Sequence, residues 1–249
     1  MTLVASGTIS LAGTATNQSI EVELGGSGST IISLNDTNVR TLAAIPSGAI
    51  ALNNFYGKSN FSPTTHTYST AGSGTESIPS GATNCVITLW GAGGNGGASL
   101  GAGLGGGGGG GAYSQKTVTV TGSGGLTFSY TVGTGGGQAP TGGSAVSNGT
   151  YGTAVSMTAG GGNNGTAGTK AGGQSLQGTG GTASGGTTNT SGIGGASTFN
   201  GGASPNGGAT QTSGGVSGNP PGGGGGGRNT GTSGTGGTGA VGTVQFAYT

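Results

Sequence analysis

Cys85-Val86-Ile87-Thr88-Leu89-Trp90 runs without interruption into Gly91-Ala92-Gly93-Gly94-Asn95-Gly96-Gly97-Ala98. The first six residues alternate with the period of two expected of a strand that buries one face. The next eight offer almost nothing to bury. The contrast extends over the rest of the chain, because 59 of its 69 glycines lie among the 159 residues after Trp90. The last carboxylate side chain is Glu76, and beyond it only Lys116, Lys170 and Arg228 carry charge. A domain so poor in large apolar groups cannot be built around an ordinary oil-drop core. It is either a flexible linker, the usual meaning of glycine- and serine-rich composition, or a structure held by its backbone.

Strand-like segments that interrupt the glycine favour the second reading. Lys116-Thr117-Val118-Thr119-Val120-Thr121 and Leu126-Thr127-Phe128-Ser129-Tyr130-Thr131-Val132 read as a hairpin across Gly122-Ser123-Gly124-Gly125. Thr150 to Thr158 and the C-terminal Thr243-Val244-Gln245-Phe246-Ala247-Tyr248 are further candidates. A linker has no need to close on a strand. Residues 75–249 are therefore expected to form one folded glycine-rich domain, with a small β-sheet at its start and end and glycine excursions between strands.

Ordering those excursions is costly. Each glycine loses roughly 0.5–1 kcal/mol more conformational entropy than alanine, an opposing total of about 30–60 kcal/mol. Repetitive backbone packing is the available compensation. The polyproline-II conformation, with three residues per turn, lets glycine helices approach closely enough for N–H to C=O bonds and weaker Cα–H contacts to accumulate. Every third position from Gly162 is often glycine: 162, 165, 168, 180, 186, 192, 195, 201 and 207. In Gly93 to Ala98 two positions in three are glycine, which suits a helix buried on more than one side. With seven prolines and no strict period, collagen is excluded. The expected fold is mainly β with glycine-rich polyproline-II-like helices, preceded by a small N-terminal β/α module. On this reading Gly107→Val would wedge a branched side chain into a backbone interface.

The first 60 residues differ in kind. Ser19-Ile20-Glu21-Val22-Glu23-Leu24 and Thr30-Ile31-Ile32-Ser33-Leu34 read as short strands around Gly25-Gly26-Ser27-Gly28. Asn35-Asp36 supplies an N-cap for a short helix through Val39, Arg40 and Leu42 that Pro46 ends. Residues 61–74 read as a linker. A module of this size buries only a marginal core, which points to a partner or to self-association.

The stretch from Ile32-Ser33-Leu34-Asn35-Asp36-Thr37-Asn38-Val39-Arg40 to Asn53-Asn54-Phe55-Tyr56-Gly57-Lys58-Ser59 resembles the N-terminal segment of many tailed-bacteriophage virion proteins. The remainder is similar to the glycine-rich domain of phage tail fibres and receptor-binding tips. The residues that carry this likeness are Leu89-Trp90-Gly91-Ala92-Gly93-Gly94, the Gly105–Gly111 run before Ala112-Tyr113, and Tyr130-Thr131-Val132-Gly133-Thr134-Gly135-Gly136. In composition the domain is also similar to polyglycine-helix adhesins at phage fibre tips. The resemblance implies a modular virion protein, made in the host cytoplasm. Its N-terminal module would dock on other virion proteins through Asp36, Arg40, Phe55 and Tyr56. Its glycine-rich domain would bind a bacterial surface glycan or outer-membrane protein through residues that the likeness does not identify. Phage fibres are commonly trimers, so a homotrimer is implied, although no heptad pattern enforces one.

Catalytic motifs are scarce. Gly57-Lys58-Ser59 looks like the end of a P-loop, but the glycine that motif needs five positions earlier is Leu52. His66 is the only histidine, which leaves no histidine-based metal site or serine triad to expect. Paired-carboxylate chemistry is unsupported where Asp36 and the three glutamates fall in the first 76 residues. The reading is therefore a non-enzyme without cofactor or metal. Cys85 reads as a buried small residue. Trp90, Tyr113, Phe128 and Tyr130 read first as core and second as sugar-stacking rings. Lys170 and Arg228 could meet anionic lipopolysaccharide but are too few for a nucleic-acid groove. Neither a signal peptide nor a membrane-spanning run is expected. Three functions follow, in order: a receptor-binding fibre protein, a non-adhesive head decoration or tail spacer, and an ice-binding polyproline-II bundle.

Overall fold

The computed structural model describes residues 2–99, 104–120, 126–136, 142–148, 155–167, 177–195, 202, 215–228 and 234–249. Ten strands are distributed over two antiparallel five-stranded sheets: β1 Thr64–Tyr68, β2 Gly72–Ser77, β3 Asn84–Trp90, β4 Tyr113–Thr119, β5 Thr127–Val132, β6 Ser144–Asn148, β7 Ser156–Ala159, β8 Ala183–Ser184, β9 Thr188–Thr190 and β10 Thr243–Tyr248. The first sheet runs β1-β10-β3-β4-β9 and the second β2-β5-β6-β7-β8. The opening stretch and the last six-residue strand thus become the centre of one sheet, paired from Cys85↔Tyr248 to Trp90↔Thr243.

Alternation sets the core. Cys85, Ile87 and Leu89 of β3 share their face with Val244, Phe246 and Tyr248 of β10, all fully buried or nearly so. From the second sheet come Phe128, Val132, Val146 and Met157. Phe128 stacks on Phe246 with ring centroids 5.6 Å apart. Each such buried side chain contributes roughly 1.5–3 kcal/mol, so this sandwich has an apolar interior of ordinary type. Burial also pushes the Cys85 thiol up to about 12, which keeps it protonated and unreactive.

Three expectations need correction. The segments read as a hairpin around Gly122–Gly125 pair with other partners: β4 lies between β3 and β9, and β5 lies between β2 and β6 in the opposite sheet. Val120 is buried and donates its N–H to Thr83 O, which continues the pairing of the first sheet one residue beyond β4. The turn itself, like Thr150 to Ala154, lies outside the described residues. Second, β1 and the first residues of β2 occupy the stretch read as a linker. Third, Ser19–Leu24 is not a strand but holds the single-turn helix α1, Ile20–Glu23, and residues 30–34 contain no strand.

The helix wins locally because Ser19 Oγ accepts the Val22 N–H as an N-cap. The two acids that mimicked strand alternation turn inward. Glu23 Oε1 accepts the Asn60 N–H at 2.8 Å, and Glu21 Oε1 accepts that of Thr30 at 2.9 Å. The module is thus built of α1, α2 (Thr37–Ala43), a 3-10 turn at Leu52–Phe55 and isolated bridges at Thr2↔Ser59 and Ser10↔Ser19. Helix α2 begins after Asp36 as expected and ends at Ala44, which takes a left-handed φ of 59°.

Burial alone would raise the Glu21 carboxyl, but amides of Thr30, Gly28 and Ser29 outweigh it and hold the group below its ordinary 4.5. A carboxyl depressed in the folded state stabilises above its unfolded value, and that stability is lost as pH falls through the folded value. Glu21→Gln is therefore expected to flatten the acid-side loss of the module's stability below pH 4.5. Amide resonances of Ile20 and Thr30 followed down the pH scale would test it. Parallel acid limbs for variant and parent would remove Glu21 as the cause.

Candidate functional site

Beyond the strands, the glycine runs form a bundle of extended segments: g1 (91–99), g2 (104–112), g3 (160–167), g4 (177–182), g5 (191–195), g6 (215–218), g7 (222–228) and g8 (234–242). Segment g2 is its axis. The N–H groups of Gly105, Gly108 and Gly111 donate to Arg228, Gly225 and Gly222 of g7, while those of Gly106, Gly109 and Ala112 donate to Thr166, Asn163 and Gly160 of g3. In return g2 carbonyls accept from Gly94 and Gly97 of g1, from Gly178 and Gly181 of g4, and from Gly202; the Gly110 N–H goes to Ile193 O of g5. These bonds measure 2.7–3.1 Å.

Neighbours g7 and g3 each recur at every third residue of g2, their own partner residues stepping back by three, which is the repeat of a polyproline-II helix. Six neighbours surround it, so all three residues of each turn face another backbone. That is why Gly105–Gly111 has no side chain. A Cβ at 105, 108 or 111 would collide with Gly97, Gly94 or Gly91 O, and one at 109 with Thr179 O, each well inside the 3.0 Å that real Cβ contacts respect. In g1 the same logic gives glycine two places in three: Gly93 and Gly96 face g7, Gly94 and Gly97 face g3. The third place is Asn95, whose Oδ1 accepts the Gly239 N–H at 2.9 Å. Of the every-third-residue glycines, Gly162, Gly165, Gly180, Gly192 and Gly195 sit against such carbonyls. Gly186 instead lies against Ser114 and Gln115, while 168, 201 and 207 are outside the described residues.

The bundle has two ends. Trp90, Tyr113 and Thr243 attach it to the first sheet, and about 25 Å away, at roughly 3.1 Å per residue from Gly91, lies a far end where Ser99 bridges to Gly234 and Gly105 bonds Arg228. Leu104 is 42% exposed there. The Arg228 side chain lies over Gly215 and Gly234, where a Cβ would approach its Cδ or Nε. Segments g1, g2, g3, g7 and g8 all reach this end, through Ser99–Gly234, Gly105–Arg228 and Gly106–Thr166, whereas Gly195 of g5 lies at the level of Gly107. The chain enters the sandwich from the other side, because Thr64 pairs with Tyr248 at the edge remote from Trp90.

The four residues expected to dock the module are not equivalent. Phe55 is fully buried in a core with Leu3, Ile20, Val39 and Leu42, so it supports the module and does not face a partner. Tyr56 is exposed, its hydroxyl donating to Gly7 O at 2.6 Å. Asp36 Oδ2 accepts the Ser33 N–H at 2.7 Å, bracing the loop before α2 without capping the helix with its side chain. Arg40 donates to Asn35 Oδ1, Ile45 O and Gly48 O, tying α2 to the following loop. Asp36, Arg40 and Tyr56 remain at the surface; Lys170 lies outside the described residues.

Two groups gained partners that the sequence did not announce. Glu76, 2% exposed, accepts from Tyr68 Oη at 2.5 Å and lies 2.7 Å from His66 Nδ1. These contacts join β1 of one sheet to β2 of the other. Tyr68 in turn stacks on Tyr130 at 4.2 Å, and the Glu76 hydrogen bond, then burial, raises its hydroxyl well above the ordinary tyrosine range. Trp90 and Tyr113 meet edge to face at 5.6 Å where the sheet passes into the bundle. Among the described residues no cluster of His, Cys, Asp and Glu has metal-ligating geometry. No helix of the described residues is long and apolar enough to cross a membrane.

An antiparallel β-sandwich whose strands feed a six-around-one glycine bundle defines a class of protein in which backbone replaces side chains as packing material. The chain belongs to the glycine-rich domain family whose model matches residues 64–249, the sandwich and bundle together. No curated protein matches it.

Proposed function

We propose that the chain is a virion structural protein of a phage tail fibre or tail tip, attached through residues 1–60 and binding the host-cell surface through its glycine-rich domain. The proposal rests on the resemblance of residues 32–59 to phage virion proteins. The observation that carries the recognition half is the reach of the bundle, whose far end at Ser99, Leu104 and Arg228 lies opposite the N-terminal entry at Thr64. A rigid ladder that carries an exposed end away from its point of attachment suits a recognition device. A nearly uncharged surface of backbone, Ser, Thr and Asn suits contact with sugar hydroxyls or loop backbone on an outer-membrane protein. Surface residues Asp36, Arg40 and Tyr56 are the proposed contacts to other virion proteins.

The purified full chain should bind intact cells of a susceptible bacterial strain saturably and compete with phage adsorption. A folded chain that binds no strain of a broad panel would overturn the adhesin half and favour a head decoration or tail spacer. Absence of the chain from purified particles by immunogold labelling would overturn the virion half.

A further inference from the structure

The outer wall of the second sheet has a composition of its own. Inward positions of β2, β5, β6 and β7 carry the sandwich core, and every outward position on its five strands is Ser or Thr except Ala145. In the middle lies a shallow dish of about 440 Å³ lined by Ala145, by Ser73, Thr75, Ser129, Thr131 and Ser147, and by Gly74 and Tyr130 between them. The register places Ser73, Thr131 and Ala145 in one row across three strands and Thr75, Ser129 and Ser147 in the next. Ser73 Oγ and Thr131 Oγ1 are 2.9 Å apart and already hydrogen-bonded, which fixes their orientation.

Among the described residues of these five strands no ionisable side chain faces outward, since Glu76 of β2 points into the sandwich. A charged partner would find no counter-charge on these strands, and the lining mixes hydroxyls with methyl groups, as the faces and edges of a sugar ring do. Each hydroxyl can donate and accept, as each hydroxyl of a sugar can. Rows repeating at about 4.8 Å from strand to strand present them at a fixed spacing on a preformed sheet, so little ordering cost attends binding. We infer that this dish binds an uncharged cell-surface polysaccharide, the sugar lying across β2, β5 and β6 with its ring edge over Ala145. The inference rests on the proposed recognition role of the domain, and it locates a contact on the sandwich wall in addition to the far end of the bundle.

The test titrates the full chain with dextran, mannan and galactan, and with alginate as an anionic comparison, by calorimetry. Saturable binding of at least one neutral polymer, with alginate weaker, is expected. Ala145→Arg, which fills the dish from an outward position, and Ser129→Ala with Ser147→Ala should each weaken that binding about tenfold, the loss of one to two hydrogen bonds, at unchanged melting temperature. Failure of all three neutral polymers, equal binding of alginate, or indifference to both variants would overturn the inference. Cell binding measured in parallel separates the two readings: a chain that adsorbs to cells but to none of the polymers loses the dish and keeps the adhesin role. A chain that binds a polymer through the dish but no cell keeps the dish and loses the role.

Discussion

Gly108→Ala is expected to lower the stability of the glycine-rich domain by about 3 kcal/mol or more, for one added methyl group. Its Cβ would collide with Gly94 O, and that same carbonyl accepts the Gly225 N–H. Relief by moving g2 would disturb ladders on its other sides, because the Gly108 N–H and C=O are themselves bonded to Gly225 and Gly202. Each lost bond adds about 1 kcal/mol. In a domain of this size the sum corresponds to a fall in melting temperature of about 6–12 °C. Gly194→Ala is the matched control. It lies in g5 with its nearest would-be neighbour, Gly178 O, at 3.3 Å and the next at 3.9 Å, so a change below about 1 kcal/mol is expected. Equal melting of the two variants would show that g2 is not the packed axis.

The second large effect is expected at the open edge of the sandwich. Glu76→Ala removes the acceptor of the Tyr68 hydroxyl and the partner of His66, and should cost about 2–3 kcal/mol. Most of that belongs to Tyr68, because the His66 side chain is 42% exposed and an exposed partner contributes little. A double-mutant cycle with Tyr68→Phe should accordingly return a coupling of about 1–2 kcal/mol, and one with His66→Asn much less. Thermal unfolding of the single and double variants measures both. A larger coupling to His66 than to Tyr68 would reverse this assignment.

The two sites differ in how much of them the sequence disclosed. Glycine in two of three places from Gly93 to Gly97, and in all places from Gly105 to Gly111, was a legible count of buried faces, since burial of a backbone helix leaves no other residue. Strands β3, β5 and β10 were legible because their inward residues are large and apolar. Strands β1 and β2 were not. Their inward positions are His66, Tyr68, Gly74 and Glu76, a pattern that acquires meaning only when the two edges meet across the core. The supposed hairpin between β4 and β5 failed for the same reason, because strand pairing is decided by partners far away in sequence. Helix α1 was hidden by acids at alternate positions, whose inward turn depends on amides at Thr30 and Asn60. In the N-terminal module, Phe55 looked like a surface candidate and is core; residue type alone does not distinguish the two.

The ladders around g2 also govern how the molecule carries force. Their hydrogen bonds stand across the long axis of the bundle and join segments distant in the chain. A pull along that axis, applied between the entry at Thr64 and the far end near Arg228, therefore loads many of them side by side. They cannot break in succession, as the rungs of a peeled hairpin do. Glycine, the most pliant residue in isolation, here makes a strut that yields only when several of its rails slide together.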